Sequence, residues 1–130
     1  MSTNSTIAVK TDKGYEAIYC HWDGYPSYMY PMLRDWYGTQ ERAEALVGYG
    51  DASFIAKRLE PSVGSGHCFE KPEEDVCVFY CRDRGEDWHG VCYGTKREVL
   101  KSQYYVYIFY PDENLWRAYK GGVEVDSYEY

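Results

Sequence analysis

The chain has 130 residues, with 14 Lys and Arg against 21 Asp and Glu and a formal net charge of −7. That length suits one domain, no apolar run approaches the roughly 18–20 residues of a membrane span, and the opening MSTNSTIAVK lacks the basic-then-apolar pattern of a secretory signal. The acidic balance argues against a sequence-independent DNA or RNA binder, whose phosphate affinity is carried by Lys and Arg, so the expectation is an acidic cytoplasmic protein with neither direct nucleic-acid contact nor a membrane.

Ile, Leu, Val and Phe together make up under a fifth of the chain, a share that taken alone points to disorder. Sixteen Tyr and 4 Trp stand against that. Each large aromatic buries about 150–250 Å², so these rings supply the area that the aliphatics lack. A folded domain with an aromatic, partly wet core follows. The 5 cysteines are odd in number, and without a signal sequence reduced thiols are expected rather than a disulfide framework.

In chain order, Ile7 and Val9 alternate with polar neighbours, Asp12-Lys13-Gly14 makes a turn, and Tyr15 to Trp22 returns as the second strand of a hairpin. Asp23-Gly24-Tyr25-Pro26 is a polar turn. Met29, Leu33 and Trp36 then recur at i, i+4 and i+7, which predicts an inward helical face starting near Ser27 to Met29, so that Pro31 falls in the first turn. A second helix is capped by Thr39, turns Ala43, Leu46 and Val47 inward and stops at Gly48. A third, short helix is expected from Asp51 through Phe54, Ile55 and Leu59, ending before Pro61. Ser62 to Asp75 reads as a charged loop and Val76 to Cys81 as a central strand. Thr95 to Glu98 fits a capping box for a short helix over Val99 and Leu100. The end is a meander: Tyr104 to Tyr110, a turn at Pro111 to Asn114, Leu115 to Lys120, then Gly121-Gly122 into Val123 to Val125. The expected fold is α+β as a single domain over residues 1–130. Its order is ββααα-β-α-βββ: a largely antiparallel sheet of five or six strands, three or four short helices mainly on one face, and tyrosines exposed on the other.

Three constellations carry candidate chemistry. Cys20, His21 and Asp23 offer a thiol, an imidazole and a carboxylate, but Cys20 and His21 are neighbours in a strand and point to opposite faces. No catalytic residue is assigned there; a structural turn is the plainer reading. In the RDRGE segment, Arg82 and Arg84 form either an anion clamp or a self-neutralising loop network. His67, Cys68, Cys77, Cys81, His89 and Cys92 have the right donors for zinc. In a regular strand, however, Cys77 and Cys81 stand about 13 Å apart, so no metal and no other cofactor is expected. Neither a phosphate-binding glycine loop nor a hydrolase or zinc-protease signature occurs.

The segments STIAV (Ser5 to Val9), YCHWDGY (Tyr19 to Tyr25) and YCRDRGE (Tyr80 to Glu86), with Gly50-Asp51-Ala52-Ser53 between them, resemble a family of small phage and prophage proteins. The resemblance runs to about Glu86. It implies a mobile-element accessory protein and, by analogy, an inhibitor of host defence of the anti-CRISPR type; it brings no activity with it. Such an inhibitor binds a host defence complex with a positively charged nucleic-acid channel through an acidic, aromatic surface. The candidate contacts are Glu73, Glu74 and Asp75, then Asp112 and Glu113, then Glu124, Asp126 and Glu129. The alternative is a small enzyme or anionic-ligand protein with His21, Asp23, Arg82 and Arg84 around one pocket.

Overall fold

A computed structural model describes residues 2–125, so Asp126 and Glu129 lie outside the described residues. The fold is α+β, with a mixed sheet crossed by four helices. The elements are β1 (Ser5–Thr11), β2 (Gly14–Cys20), α1 (Pro26–Trp36), α2 (Gln40–Gly48), β3 (Ala52–Phe54), β4 (Val78–Phe79), α3 (Tyr80–Arg84), β5 (Val91–Tyr93), α4 (Lys96–Leu100), β6 (Tyr105–Tyr110), β7 (Leu115–Lys120) and β8 (Val123–Val125). The strands run β4-β3-β2-β1-β6-β7-β8, and β5 pairs the free half of β2. No helix among the described residues is long and apolar enough to cross a membrane.

The hairpin and the meander form where alternation and turn residues place them. Ser5 pairs Cys20 and Thr11 pairs Gly14 across the first; Tyr105 pairs Lys120 and Tyr110 pairs Leu115 across the second. The two blocks join through β1 and β6 in parallel, Ser5 opposite Tyr105 and Val9 opposite Phe109. β2 and β3 are also parallel, joined at Cys20 and Ala52. Among the described residues the sheet is mixed and has eight strands against the expected five or six; most of its pairings are antiparallel, and the β1–β6 and β2–β3 pairings are parallel.

Alternation sorts the strands onto two cores. Ile7, Val9, Ile18, Tyr107, Phe109 and Trp116 pack under α1 and α2. Ala8, Tyr15, Ala17, Val106, Ile108 and Tyr119 pack on the opposite face against Val99 of α4. Helices thus cover both faces, and the tyrosines expected in the open are partly roofed. Thr95 accepts from the Glu98 N–H as the capping pattern predicts, and Thr39 accepts from the Arg42 N–H to begin α2.

The remaining departures lie between α1 and β5. Helix α1 starts at Pro26, which takes the first-turn position, so Pro31 sits inside the helix. Trp36 is not inward: it is 45% exposed, with the Lys57 ammonium 5.4 Å above its ring. Tyr37 is the buried anchor instead. Its hydroxyl donates to the Ala56 carbonyl, and its own carbonyl accepts from Trp116 Nε1 at 2.7 Å. The predicted helix from Asp51 is strand β3 followed by a loop, because Ala52 is captured by the end of β2. The predicted central strand over Val76 to Cys81 shrinks to the two-residue β4 at the outside of the sheet. From Tyr80 the chain turns helical, closed by Gly85 in the left-handed region. Cys77 and Cys81 therefore never share a regular strand, and the 13 Å argument does not apply. Among the described residues no three His, Cys, Asp or Glu side chains assemble in metal-holding geometry. The short β5 is not among the elements expected from the sequence.

Candidate functional site

The four segments STIAV, YCHWDGY, GDAS and YCRDRGE lie far apart in sequence and side by side in space. Ser5 pairs Cys20, Cys20 pairs Ala52, and Ala52 pairs Phe79, the residue before YCRDRGE. Beyond the ladder, His21 N–H donates to the Ala52 carbonyl at 3.0 Å, Trp22 N–H to Ser53 at 2.9 Å, and Tyr80 N–H to Asp51 at 3.2 Å. The carboxyl end of β2 is thus the centre of one patch, fed by four stretches of chain.

Asp23 and Gly24 fix how the chain leaves β2. Asp23 adopts φ +55°, a left-handed conformation that costs most L residues energy. Gly24 N–H donates to Thr3, and the Gly24 carbonyl accepts from the buried Tyr107 hydroxyl at 2.7 Å. A Cβ on Gly24 would stand 2.6 Å from Ser5 Cβ, so only glycine fits between the turn and β1. The turn is built from both sides.

Asp51, in the GDAS segment, ties strand to loop. Its Oδ1 accepts from the Tyr19 N–H at 2.9 Å, its Oδ2 meets His89 Nδ1 at 2.7 Å, and its own N–H donates to the His89 carbonyl at 2.8 Å. Beside it the Tyr19 hydroxyl and His21 Nδ1 share a 2.8 Å hydrogen bond, and the His21 ring meets Trp22 edge-on. Burial, then the neighbouring Tyr80, Cys20 and Asp51, push the Tyr19 hydroxyl above its ordinary pKa. Asp51 and His89 have the form of the orienting half of a nucleophilic triad, but among the described residues no hydroxyl or thiol hydrogen-bonds His89 Nε2. Cys20 is fully buried on the other face, and burial pushes its thiol up to about 12. This patch orders backbone.

The RDRGE segment locks the long loop. Arg82 donates to the Leu59 and Cys77 carbonyls and to Asp83, while its guanidinium lies 5.1 Å from both the Tyr49 and Phe79 rings. Asp83, its side chain only 3% exposed, accepts from the Phe79 N–H at 2.8 Å and faces His67 Nε2 at 3.2 Å. His67 Nδ1 accepts from the Glu73 N–H, so its proton sits on Nε2, toward the carboxylate. Burial works to raise the Asp83 pKa, but the bonds from Arg82, the Phe79 N–H and His67 outweigh it and hold the carboxyl below its usual range. Arg84 lies over Phe69 at 4.4 Å and Tyr80 at 4.7 Å and pairs with Glu86.

What these locks expose is a groove of about 370 Å³. Trp22, Phe54, Phe69 and Pro72 line it together with Glu73, Glu74 and Asp75. Trp22 is 43% exposed. Of the sequence candidates, Glu73 is engaged by Arg58, Ser62 and His67, Glu113 and Glu124 both pair with Arg117, and Glu74, Asp75 and Asp112 are exposed. Asp112 and Glu113 lie at the far end of the sheet, in a cleft shared with Asp12 and Glu44. His21 and Asp23 stand at the β2 end, whereas Arg82 is turned into the Leu59–Cys77 loop. The residues that the sequence reading missed are Tyr37, Asp51 and Asp83, while His67 and His89, weighed there as zinc donors, instead face the Asp83 and Asp51 carboxylates. Asp51 and Asp83 sat inside quoted motifs and were findable there; Tyr37 carries no local signal. Comparison with protein-family models, curated proteins and solved structures finds no match to this chain.

Proposed function

We propose that the protein is a non-catalytic binder that blocks a host defence nucleic-acid complex by seating the Trp22 groove on a basic protein surface of that complex. The observation that carries this reading is the groove itself: an exposed tryptophan and two phenylalanines with Glu74 and Asp75 beside them. A desolvating aromatic centre with a charged rim is the anatomy of a protein-binding site, and tryptophan is among the residues most enriched in binding hot spots. The carboxylates match Lys and Arg on a nucleic-acid channel, and the net charge of −7 steers the encounter in the same direction. The segments quoted for the resemblance support it by position, since Trp22 of YCHWDGY and Ser53 of GDAS both line the groove. The polar side chains around Asp51 and Asp83 are engaged in holding backbone.

The test is a DNA-cleavage or plaquing assay against a panel of CRISPR effectors, with Trp22→Ala and a Glu74→Lys/Asp75→Asn pair. Asparagine is chosen because Asp75 has φ +63°, a conformation that asparagine tolerates. Trp22→Ala is expected to weaken inhibition by about 30-fold, the loss of a hot spot of roughly 2 kcal/mol. The charge variant is expected to flatten the salt dependence. No inhibition of any effector, or inhibition indifferent to both variants and to salt, overturns the proposal.

A further inference from the structure

We propose a second binding site, for single-stranded nucleic acid, in the groove between α4 and the β7–β8 turn. Its floor and walls are Leu100, Tyr104 and Gly121, and its cations are Lys96, Arg97 and Lys101. The groove measures about 890 Å³, inside the range of roughly 300–1,000 Å³ typical of ligand sites. Among the described residues that line it there is no carboxylate. In a chain with seven more acids than bases, that local reversal of sign is the first observation. The net charge that speaks against nucleic acid is an average over the whole surface, whereas a strand of phosphates meets only the groove.

The second observation is that two of these cations are uncommitted. Arg97 and Lys101 are exposed and form no ion pair among the described residues, while most other arginines are held by a carboxylate. They stand at i and i+4, which sets their side chains about 5–6 Å apart on one side of α4. Lys96 lies 5.1 Å from the Tyr119 ring and lines the groove with them as its third cation.

The third is Tyr104. It is 57% exposed, and its surroundings pack against it: Tyr105 meets the ring edge-on at 5.0 Å, and the Tyr104 backbone carbonyl accepts from the Gly121 N–H at 2.8 Å. Gly121 has φ +60°, and a Cβ there would stand 3.1 Å from the Tyr104 ring, so the turn backbone supports the ring closely. An exposed aromatic beside free cations is the combination that binds unpaired bases by stacking and their phosphates by charge. An acidic peptide would use the cations and leave the ring idle; a duplex offers no free base face. These residues are separate from the Trp22 groove.

The experiment is fluorescence anisotropy of an end-labelled oligothymidylate of about 12 nucleotides with the full chain. With three cations engaged, the slope of log affinity against log salt is expected near −2, roughly a 20-fold loss between 50 and 200 mM salt. The Arg97→Gln/Lys101→Gln and Arg97→Glu/Lys101→Glu pairs are expected to weaken binding at least tenfold and to bring the slope toward about −0.7. Tyr104→Ala is expected to weaken it at least fivefold, with Tyr104→Phe restoring it. All these side chains are exposed, so melting temperatures are expected to hold, and Trp22→Ala is expected to bind as tightly as the parent. Failure of the Trp22 reading alone leaves this result standing. No anisotropy change with the parent chain, equal binding by the charge variants, equal binding by Tyr104→Ala, or equal affinity for a duplex of the same length overturns the proposal.

Discussion

Replacing Asp83 by alanine tests whether one buried carboxylate holds the loop that forms half of the Trp22 groove. The substitution removes the acceptor of the Phe79 N–H, the group facing His67 Nε2, and the partner of Arg82 Nε at 2.8 Å. Each buried donor left without a partner costs about 1–3 kcal/mol, and removing one member of a buried ion pair costs roughly 3–5 kcal/mol. Arg82 keeps its bonds to Leu59 and Cys77 and is partly exposed, so the lower end, about 3 kcal/mol, is the expected loss. For a chain of this size that lowers the melting temperature by roughly 10 °C. Urea unfolding measures the free energy, and limited proteolysis across Gly64-Ser65-Gly66 reports whether the loop is released first. The pH dependence has a fixed sign. The Asp83 pKa is lower folded than unfolded, so its contribution is complete at neutral pH and is lost as pH falls below the ordinary carboxylate value of 3.8. A loss under about 1 kcal/mol, or cleavage sites unchanged from the parent, refutes the assignment.

Two other outcomes are expected. Asp23→Ala places a residue less tolerant of φ +55° at the turn and should cost about 1–2 kcal/mol, while Asp23→Gly should equal or exceed the parent in a thermal melt. Thiol titration of the native chain should find exposed Cys92 reacting at once and buried Cys20 and Cys77 only after denaturant is added, because burial raises both buried thiols.

The local parts of this fold were written plainly in the chain. Ile7 and Val9, the Asp12-Lys13-Gly14 turn, the Thr39 and Thr95 caps and the Pro111 to Asn114 turn each act within a few residues, and each produced the predicted element. The misreadings fall where a distant partner decides. Phe54, Ile55 and Leu59 suit a helix face as well as a strand and loop, and it is Cys20, some thirty residues back, that makes Ala52 a strand. Val76 to Cys81 is β-prone throughout, yet Asp83 caps the Phe79 N–H and turns the chain helical at Tyr80. At the site, His21, Asp23, Arg82 and Arg84 were chosen for their chemistry, and their segments do meet around β2 and β3. Which carboxylates remain exposed was not legible, since Glu73, Glu113 and Glu124 are engaged by partners that only the tertiary fold brings near.

The parallel seam between β1 and β6 also sets the order in which the protein can be assembled. β1 stands in the middle of the sheet, yet its second neighbour is a strand about a hundred residues later in the chain. As the polypeptide leaves the ribosome, the β1–β2 hairpin forms early and waits with the edge of Ser5 to Val9 unpaired until Tyr105 to Phe109 arrives. Closing so long a loop is slow, which places folding nearer milliseconds to seconds than microseconds. During that wait the Ile7 and Val9 edge is the surface at greatest risk of pairing with another nascent chain.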